Sequence, residues 1–383
     1  MRVLSESLTR MPRSGIRVIM DMAAGMDEVF HMELGEPGFQ TPDHIKEAAI
    51  RAIRDGFTKY TANIGFLSLR EAVMDRMRAD GADVSIEQVA ITPGSVFALA
   101  AAMMAVTEPG GEVLISDPGW PNYSMQAIAM ERKPVFYPLY EENGFEPRLE
   151  DLERAVTPKT QAIVVNTPAN PTGAVFSRAA CEMLLEFARK RDLTIISDEV
   201  YDRIVFEGEH VSLLSLDPKE RVIGVGGASK TYSMTGWRVG WYAAPAHVAE
   251  HMNKLLEPYA SCAAAPSQKA AEAALRGPQD CIGEMVAAYK RRRDLMLAIL
   301  RENGFSFSVP KGAFYLLANI EKAGLGSYAF CKELLTATGV ACAPGLTFGE
   351  SSDGFVRFSF CAGDAQIEEG AKRFCAFYKK RTA

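Results

Sequence analysis

The 383-residue sequence contains no Cys-x-x-Cys pair and no run of lysines and arginines along one face. Its longest unbroken apolar stretch, Val96 to Val106, is too short to cross a bilayer and follows Thr92-Pro93-Gly94-Ser95 in the manner of a buried helix. Seven scattered cysteines, an odd number, suit reduced thiols better than a disulfide framework or a structural zinc site. Histidine is scarce, at five residues. His247-Val248-Ala249-Glu250-His251 fits the short His-x-x-Glu-His metal pattern, but Ala244-Pro245 opens a helix there and no third ligand announces itself, so both rings are read as part of a solvated helix face. A formal net charge of -6 argues against nucleic acid as a partner. Neither a membrane span nor a secretory pattern is found around Glu6, Arg10 and Arg13, which makes the cytoplasm the expected compartment. No internal repeat or low-complexity segment interrupts the chain.

What is present is an alternation of strands and helices from about residue 41 to 265. Thr41-Pro42 is expected to cap a helix whose apolar positions Ile45, Ala49, Ala52 and Ile53 recur at helical spacing until Gly56, and a second helix is expected from Ser68 to Arg78. Short β-like runs follow at 88–92, 112–116, 160–166, 193–197, 221–226 and 239–243, with helical stretches such as 177–191 between them. This pattern describes an α/β fold with a mostly parallel sheet flanked by helices. Beyond it, a long charged helix over 279–303 leads to shorter strands near 313–317 and 355–360, which reads as a smaller α+β domain. The first forty residues hold no complete unit and are expected to pack on that smaller domain. The expected division is 37–284 for the large domain, with 1–36 and 285–383 forming a discontinuous small one.

Ligands of open α/β sheets bind beyond the carboxyl ends of the strands, and here those ends are polar. Gly94-Ser95-Val96 opens a helix whose free amides and dipole favour an anion. Trp120 follows Pro118-Gly119 in a loop, where a flat side chain can stack on an aromatic ligand or fill the core. Asp198 ends an apolar strand, and a buried carboxylate there stays ionised only beside a cation or strong donors. Lys230 lies in a small-residue loop after the apolar run 221–226, with Arg238 eight positions on. Desolvation at such a place turns an ammonium into an amine able to form a Schiff base, and the arginine can hold a dianion.

Gly227 to Gly240, Asn170-Pro171-Thr172-Gly173, Asp198-Glu199-Val200-Tyr201, Arg357-Phe358-Ser359-Phe360 and Leu34-Gly35-Glu36-Pro37-Gly38-Phe39 together resemble the class I/II aminotransferase family of fold type I, which uses pyridoxal 5'-phosphate. The likeness covers nearly the whole chain. It implies a large domain with a mostly parallel sheet, a smaller α+β domain, and transfer of an amino group from an L-α-amino acid to an α-keto acid by a ping-pong cycle. The matching roles are Lys230 as the Schiff-base lysine that also moves the substrate proton, and Asp198 as partner of the pyridine nitrogen. Asn170 and Tyr201 match the donors to the cofactor's phenolic oxygen, and Trp120 matches the stacking aromatic. Arg238, Ser229 and the Ser95 and Val96 amides match the phosphate cradle. Tyr60 matches a tyrosine that reaches the phosphate from a partner subunit, which implies a homodimer with shared sites. Arg357, helped by the Gly35 backbone, matches the clamp on the substrate carboxylate, with Asn170 beside it.

One position departs from the pattern: many members carry a serine three residues before the lysine, where this chain has Gly227. Two other activities share the fold, a carbon–sulfur β-lyase and a non-catalytic ligand-sensing module. Ile16, Phe39 and Phe314 are candidates for the side-chain pocket, while Arg13 is a charged residue that the sequence does not place.

Overall fold

The computed structural model describes residues 4–382; the outermost residues of the expected small domain, 1–3 and 383, lie outside that range. Seven strands form the central sheet, in the spatial order Val89–Thr92, Gly240–Ala243, Val222–Gly227, Thr194–Asp198, Thr160–Asn166, Glu112–Asp117 and Lys133–Pro138. Neighbours are parallel except where Gly240–Ala243 runs against both of its partners, so the sheet is mostly parallel. Six of these strands lie within a residue or two of the expected runs. Lys133–Pro138 escapes the sequence reading because two prolines break its pattern, and it forms the edge of the sheet, where a missing N–H is tolerated.

Alternate residues of each central strand face opposite layers. Ile163 and Val165 enter one buried cluster, while Ala162 and Val164 enter the other. Each fully buried valine or isoleucine contributes about 1.5–3 kcal/mol relative to exposure, which fixes the strand register against a slip of one residue. The helix Asp43–Arg54 buries Ile45, Ala49 and Ala52, as its spacing predicts, but Ile53 is 54% exposed. Thr41 does not cap that helix. Its hydroxyl instead donates to the Ser233 carbonyl at 2.6 Å and accepts from the Trp237 ring N–H at 3.0 Å, tying the chain to the segment beyond Lys230.

A third apolar cluster is built on a three-stranded antiparallel sheet of Ala343–Pro344, Phe355–Ser359 and Tyr315–Asn319. Helices Asp280–Glu302, Ser327–Thr338 and Asp364–Thr382 supply its buried side chains. Ile19, Ala23 and Met32 from the N-terminal segment enter the same cluster, and Phe30–His31 pairs in parallel with Val340–Ala341. Among the described residues no helix is long and apolar enough to cross a membrane.

Candidate active site

The carboxyl ends of the parallel strands open into a cavity of about 850 Å³, a size typical of ligand pockets. Lys230 lines it, on a single helical turn, Ala228–Thr231, rather than in a loop. Its ammonium donates to the Gly35 carbonyl at 2.6 Å. Burial pushes the Lys230 amine down to about 8 from its ordinary 10.5, because the surrounding protein cannot solvate the charge as water does. A substantial neutral fraction is therefore present near physiological pH.

Asp198 is the last residue of its strand and is almost completely buried. Its carboxylate accepts from the Tyr123 hydroxyl at 2.6 Å and from the Val200 amide at 3.3 Å, and no ion pair reaches it among the described residues. Burial raises its carboxyl to about 6. An ionised carboxylate enclosed in this way is complete only with a cationic ligand on its free side.

Arg357, in the middle of Phe355–Ser359, is also buried, with its guanidinium between the Tyr315 and Phe348 rings at 4.4 and 4.8 Å from their centroids. It donates to the Asn170 side-chain oxygen at 3.1 Å and to the Glu33 carbonyl, while its Nε has no partner among the described residues. Tyr201 lies in the turn after Asp198, with its hydroxyl 2.9 Å from that of Tyr315. Gly35, Asn170, Tyr201 and Arg357 all line the cavity.

The opposite wall begins at Gly94, whose φ of +87° starts the helix Ser95–Val106. A side chain at this glycine would collide with the Arg238 guanidinium, which lies against the turn. Arg238 donates to the Thr235 carbonyl at 2.8 Å and is otherwise exposed to the cavity, without a carboxylate partner among the described residues. Ser95, Val96 and Ser229 complete this wall. A helix start, a hydroxyl and a guanidinium facing one space are the kind of groups that can receive an anion.

Gly227 has a physical explanation. A Cβ there would strike the Ser95 hydroxyl, which fills that space and donates to the Gly226 carbonyl at 2.9 Å. Trp120 precedes the helix Pro121–Ala129 and lines the cavity, edge-on to Tyr123 with ring centroids 5.4 Å apart. Of the residues matched to the cofactor and the substrate carboxylate, Tyr60 alone does not line the cavity of its own chain, and it is 89% exposed.

The description "aminotransferase class I and II" matches residues 27–374. The chain belongs to the class I and II aminotransferase family. Among relatives, the aromatic-amino-acid aminotransferase 2 of Thermococcus litoralis is 39% identical, with 99% of each chain covered, and an aspartate aminotransferase of Pyrococcus abyssi is 39% identical over 97% of each. Among solved structures, the aspartate aminotransferase of Thermotoga maritima superposes with a TM-score of 0.92 at 34% identity, covering 98% of this chain and 100% of that one. The aromatic aminotransferase of Pyrococcus horikoshii gives 0.90 at 37%, covering 95% and 99%. The fold of this aminotransferase is thus that of fold type I, and the protein is a transferase enzyme.

The aminotransferase also places residues that sequence reasoning does not find. Tyr123, which anchors Asp198, lies three positions after Trp120 on a helix opened by Pro121, a spacing that puts both on one face. Ile16 lines the cavity as expected. Phe314 and Phe39 do not: Phe314 is fully buried against Tyr201 and Tyr289, and Phe39 packs edge-on to Tyr289. Tyr315, next in sequence, takes the lining position. His247 and His251 lie exposed on the helix Ala246–Tyr259.

Proposed function

We propose that the cavity binds pyridoxal 5'-phosphate and transfers an amino group from an L-α-amino acid to an α-keto acid in a ping-pong cycle. The observation that carries this reading is a largely enclosed amine, lowered to about 8, sharing one cavity with a buried carboxylate that no ion pair reaches among the described residues. The residues present fit the cofactor. Lys230 would hold it covalently through its neutral amine, and Asp198, fixed by Tyr123, would keep the ring nitrogen protonated. Trp120 would stack on the ring, and Asn170 and Tyr201 would donate to its phenolic oxygen. Arg238, Ser229 and the Ser95 and Val96 amides would grip the phosphate, joined by Tyr60 of a second subunit in a homodimer.

When bound, the cofactor supplies an electron sink for the pair released at the substrate Cα. The protein does the rest. Arg357 binds the α-carboxylate as a planar fork, after exchanging its contact with Asn170 or Glu33 for the ligand. Gly35 offers backbone on the same side and accepts the Lys230 amine between steps. Lys230, once neutral, would take the proton from Cα and return it two atoms along, on the far side of the amino nitrogen. We further infer two units, 37–284 and 1–36 with 285–383, the first carrying Lys230 and Asp198, the second Arg357 and Gly35.

The test is direct. Borohydride reduction of the holoenzyme followed by peptide mapping should place the cofactor on Lys230, and Lys230→Ala should abolish transamination. Incubation with an amino donor alone should accumulate the pyridoxamine form; steady release of pyruvate and ammonia would indicate elimination instead. Turnover of Lys230→Ala near the wild-type rate would overturn the assignment. The relatives' names divide between aspartate and aromatic amino acids, so side-chain preference is set by residues particular to this chain.

A further inference from the structure

The turn over 198–202 divides its side chains between two spaces. Asp198, Val200 and Tyr201 line the main cavity, whereas Glu199 and Asp202 line a second space of only about 30 Å³, together with Arg76, Asp80, Val225 and Gly226. Two groups matched to the cofactor are thus interleaved with two carboxylates to which the proposed chemistry gives no task.

Those carboxylates are enclosed and multiply bonded. The Glu199 side chain is 13% exposed. One of its oxygens accepts from the Ser197 hydroxyl at 2.8 Å and the Leu213 amide at 3.0 Å, and the other lies 3.4 Å from Nε2 of His210. Ser197 is fully buried and immediately precedes Asp198, so Glu199 ties the end of that strand to the chain beyond the turn. Asp202 pairs with Arg76 of the helix Leu67–Ala79, their side chains 16% and 11% exposed. Arg203 reaches the same carboxylate at 3.8 Å and donates to both oxygens of Asp80 at 2.8 and 2.7 Å. The Glu199 amide donates to the Val225 carbonyl at 2.9 Å, and the Asp202 amide to the Glu199 carbonyl at 3.0 Å.

Stability alone is a poor account of this cluster, because apolar side chains of the same volume often replace an enclosed ion pair without loss. What charged hydrogen bonds supply beyond apolar contact is direction. Direction matters on the cavity side, where a hydrogen bond from Asp198 or Tyr201 weakens steeply once its angle is lost. We propose that Glu199, Asp202 and Arg76 are positioning residues that clamp the 198–202 turn through the side chains it turns away from the main cavity, and so fix how Asp198 and Tyr201 meet the cofactor. This inference rests on the proposed function and extends it.

The experiment titrates cofactor-free protein with pyridoxal 5'-phosphate, reading the visible absorbance, and records the melting temperature of the same cofactor-free samples. Arg76→Met combined with Asp202→Leu exchanges the ion pair for apolar volume. This double variant should melt no more than a few degrees below the wild type, yet its dissociation constant for the cofactor should rise about tenfold, as when the partner of a ligating group is lost. Glu199→Ala should weaken binding to a similar extent, and Glu199→Gln, which keeps an acceptor for Ser197 and Leu213, should recover most of the affinity. In the double variant and in Glu199→Ala, the pH at which the bound cofactor's absorbance changes should move up, because a misaligned Tyr201 leaves more negative charge on the phenolic oxygen to hold a nearby proton. Arg203→Gln, which removes a pair about a third exposed, should change neither reading. Unchanged affinity and pH midpoint in these variants, or affinity that merely follows melting temperature across the set, overturns the inference while the proposed function stands. Failure of the double variant to fold would also overturn it, since the pair would then serve stability. A wild-type protein that binds no pyridoxal 5'-phosphate would count against the proposed function itself.

Discussion

Asp198 is a residue whose burial costs the folded chain stability, a cost that the proposed cofactor would offset. Burial raises its carboxyl from an ordinary 3.8 to about 6, so between these values the folded chain holds a proton that the unfolded chain has released. Stability is therefore highest below the lower value and falls as pH rises through about 6. The accumulated loss is about 3 kcal/mol at neutral pH. Asp198→Asn keeps an acceptor for Tyr123 and removes the charge. The cofactor-free variant should melt a few degrees above the wild type at pH 7.5, and the gap should shrink toward pH 4.5, while its affinity for pyridoxal 5'-phosphate falls. Scanning calorimetry across that range checks the claim, and a gap independent of pH would refute it. Lys230 has the opposite sign. Its lowered value near 8 means that the neutral amine grows about tenfold per pH unit below 8 and then levels off. Capture of the cofactor by the cofactor-free protein, followed by absorbance from pH 6 to 9.5, should trace that curve; a flat profile would show that the amine's protonation does not control the step.

At the scale of elements, the junction between the strand Val222–Gly227 and the helix Ser95–Val106 explains a departure that the sequence only registers. The Ser95 hydroxyl occupies the volume a side chain at 227 would need and satisfies the Gly226 carbonyl from there. Introducing at position 227 the serine that the family resemblance leads one to expect should therefore harm this chain. Gly227→Ser is expected to destabilise it by about 1–3 kcal/mol through overpacking, and Ser95→Ala combined with Gly227→Ser should recover much of the loss. Additive losses in denaturant titrations of the two single variants and the double variant would contradict the shared volume. This coupling is invisible in sequence because residues 132 positions apart meet only across the finished sheet. The strands themselves were legible, since burial on both faces leaves uninterrupted apolar runs such as 160–166, and so was Asp198 at the end of one of them. Lys133–Pro138 was not, because an edge strand is half exposed and needs no continuous apolar pattern. Thr41 was misassigned for a related reason: a helix-start signal is local, whereas its actual partners, Ser233 and Trp237, are brought in by tertiary packing.

At the scale of the whole molecule, the cavity draws Lys230 and Asp198 from the ends of the large sheet, and Arg357 and Gly35 from segments packed in or beside the cluster built on the three-stranded sheet. The Lys230–Gly35 and Arg357–Asn170 hydrogen bonds stitch these parts together at the site itself. Tyr60 remains outside this assembly, an exposed aromatic away from its own chain's cavity. If it serves the phosphate of a second subunit, its loss and the loss of Lys230 fall on different sites of a mixed dimer. Lys230→Ala and Tyr60→Ala chains, unfolded together and refolded as a mixture, would form dimers in which one site has lost both residues and the other retains both. Random pairing makes half the dimers mixed with one intact site each, so activity should recover to about a quarter of the wild-type value above the residual activity of the Tyr60 variant. Were Tyr60 to act within its own chain, every mixed dimer would carry one defect per site, and the refolded mixture would show no more activity than the average of the two variants refolded apart.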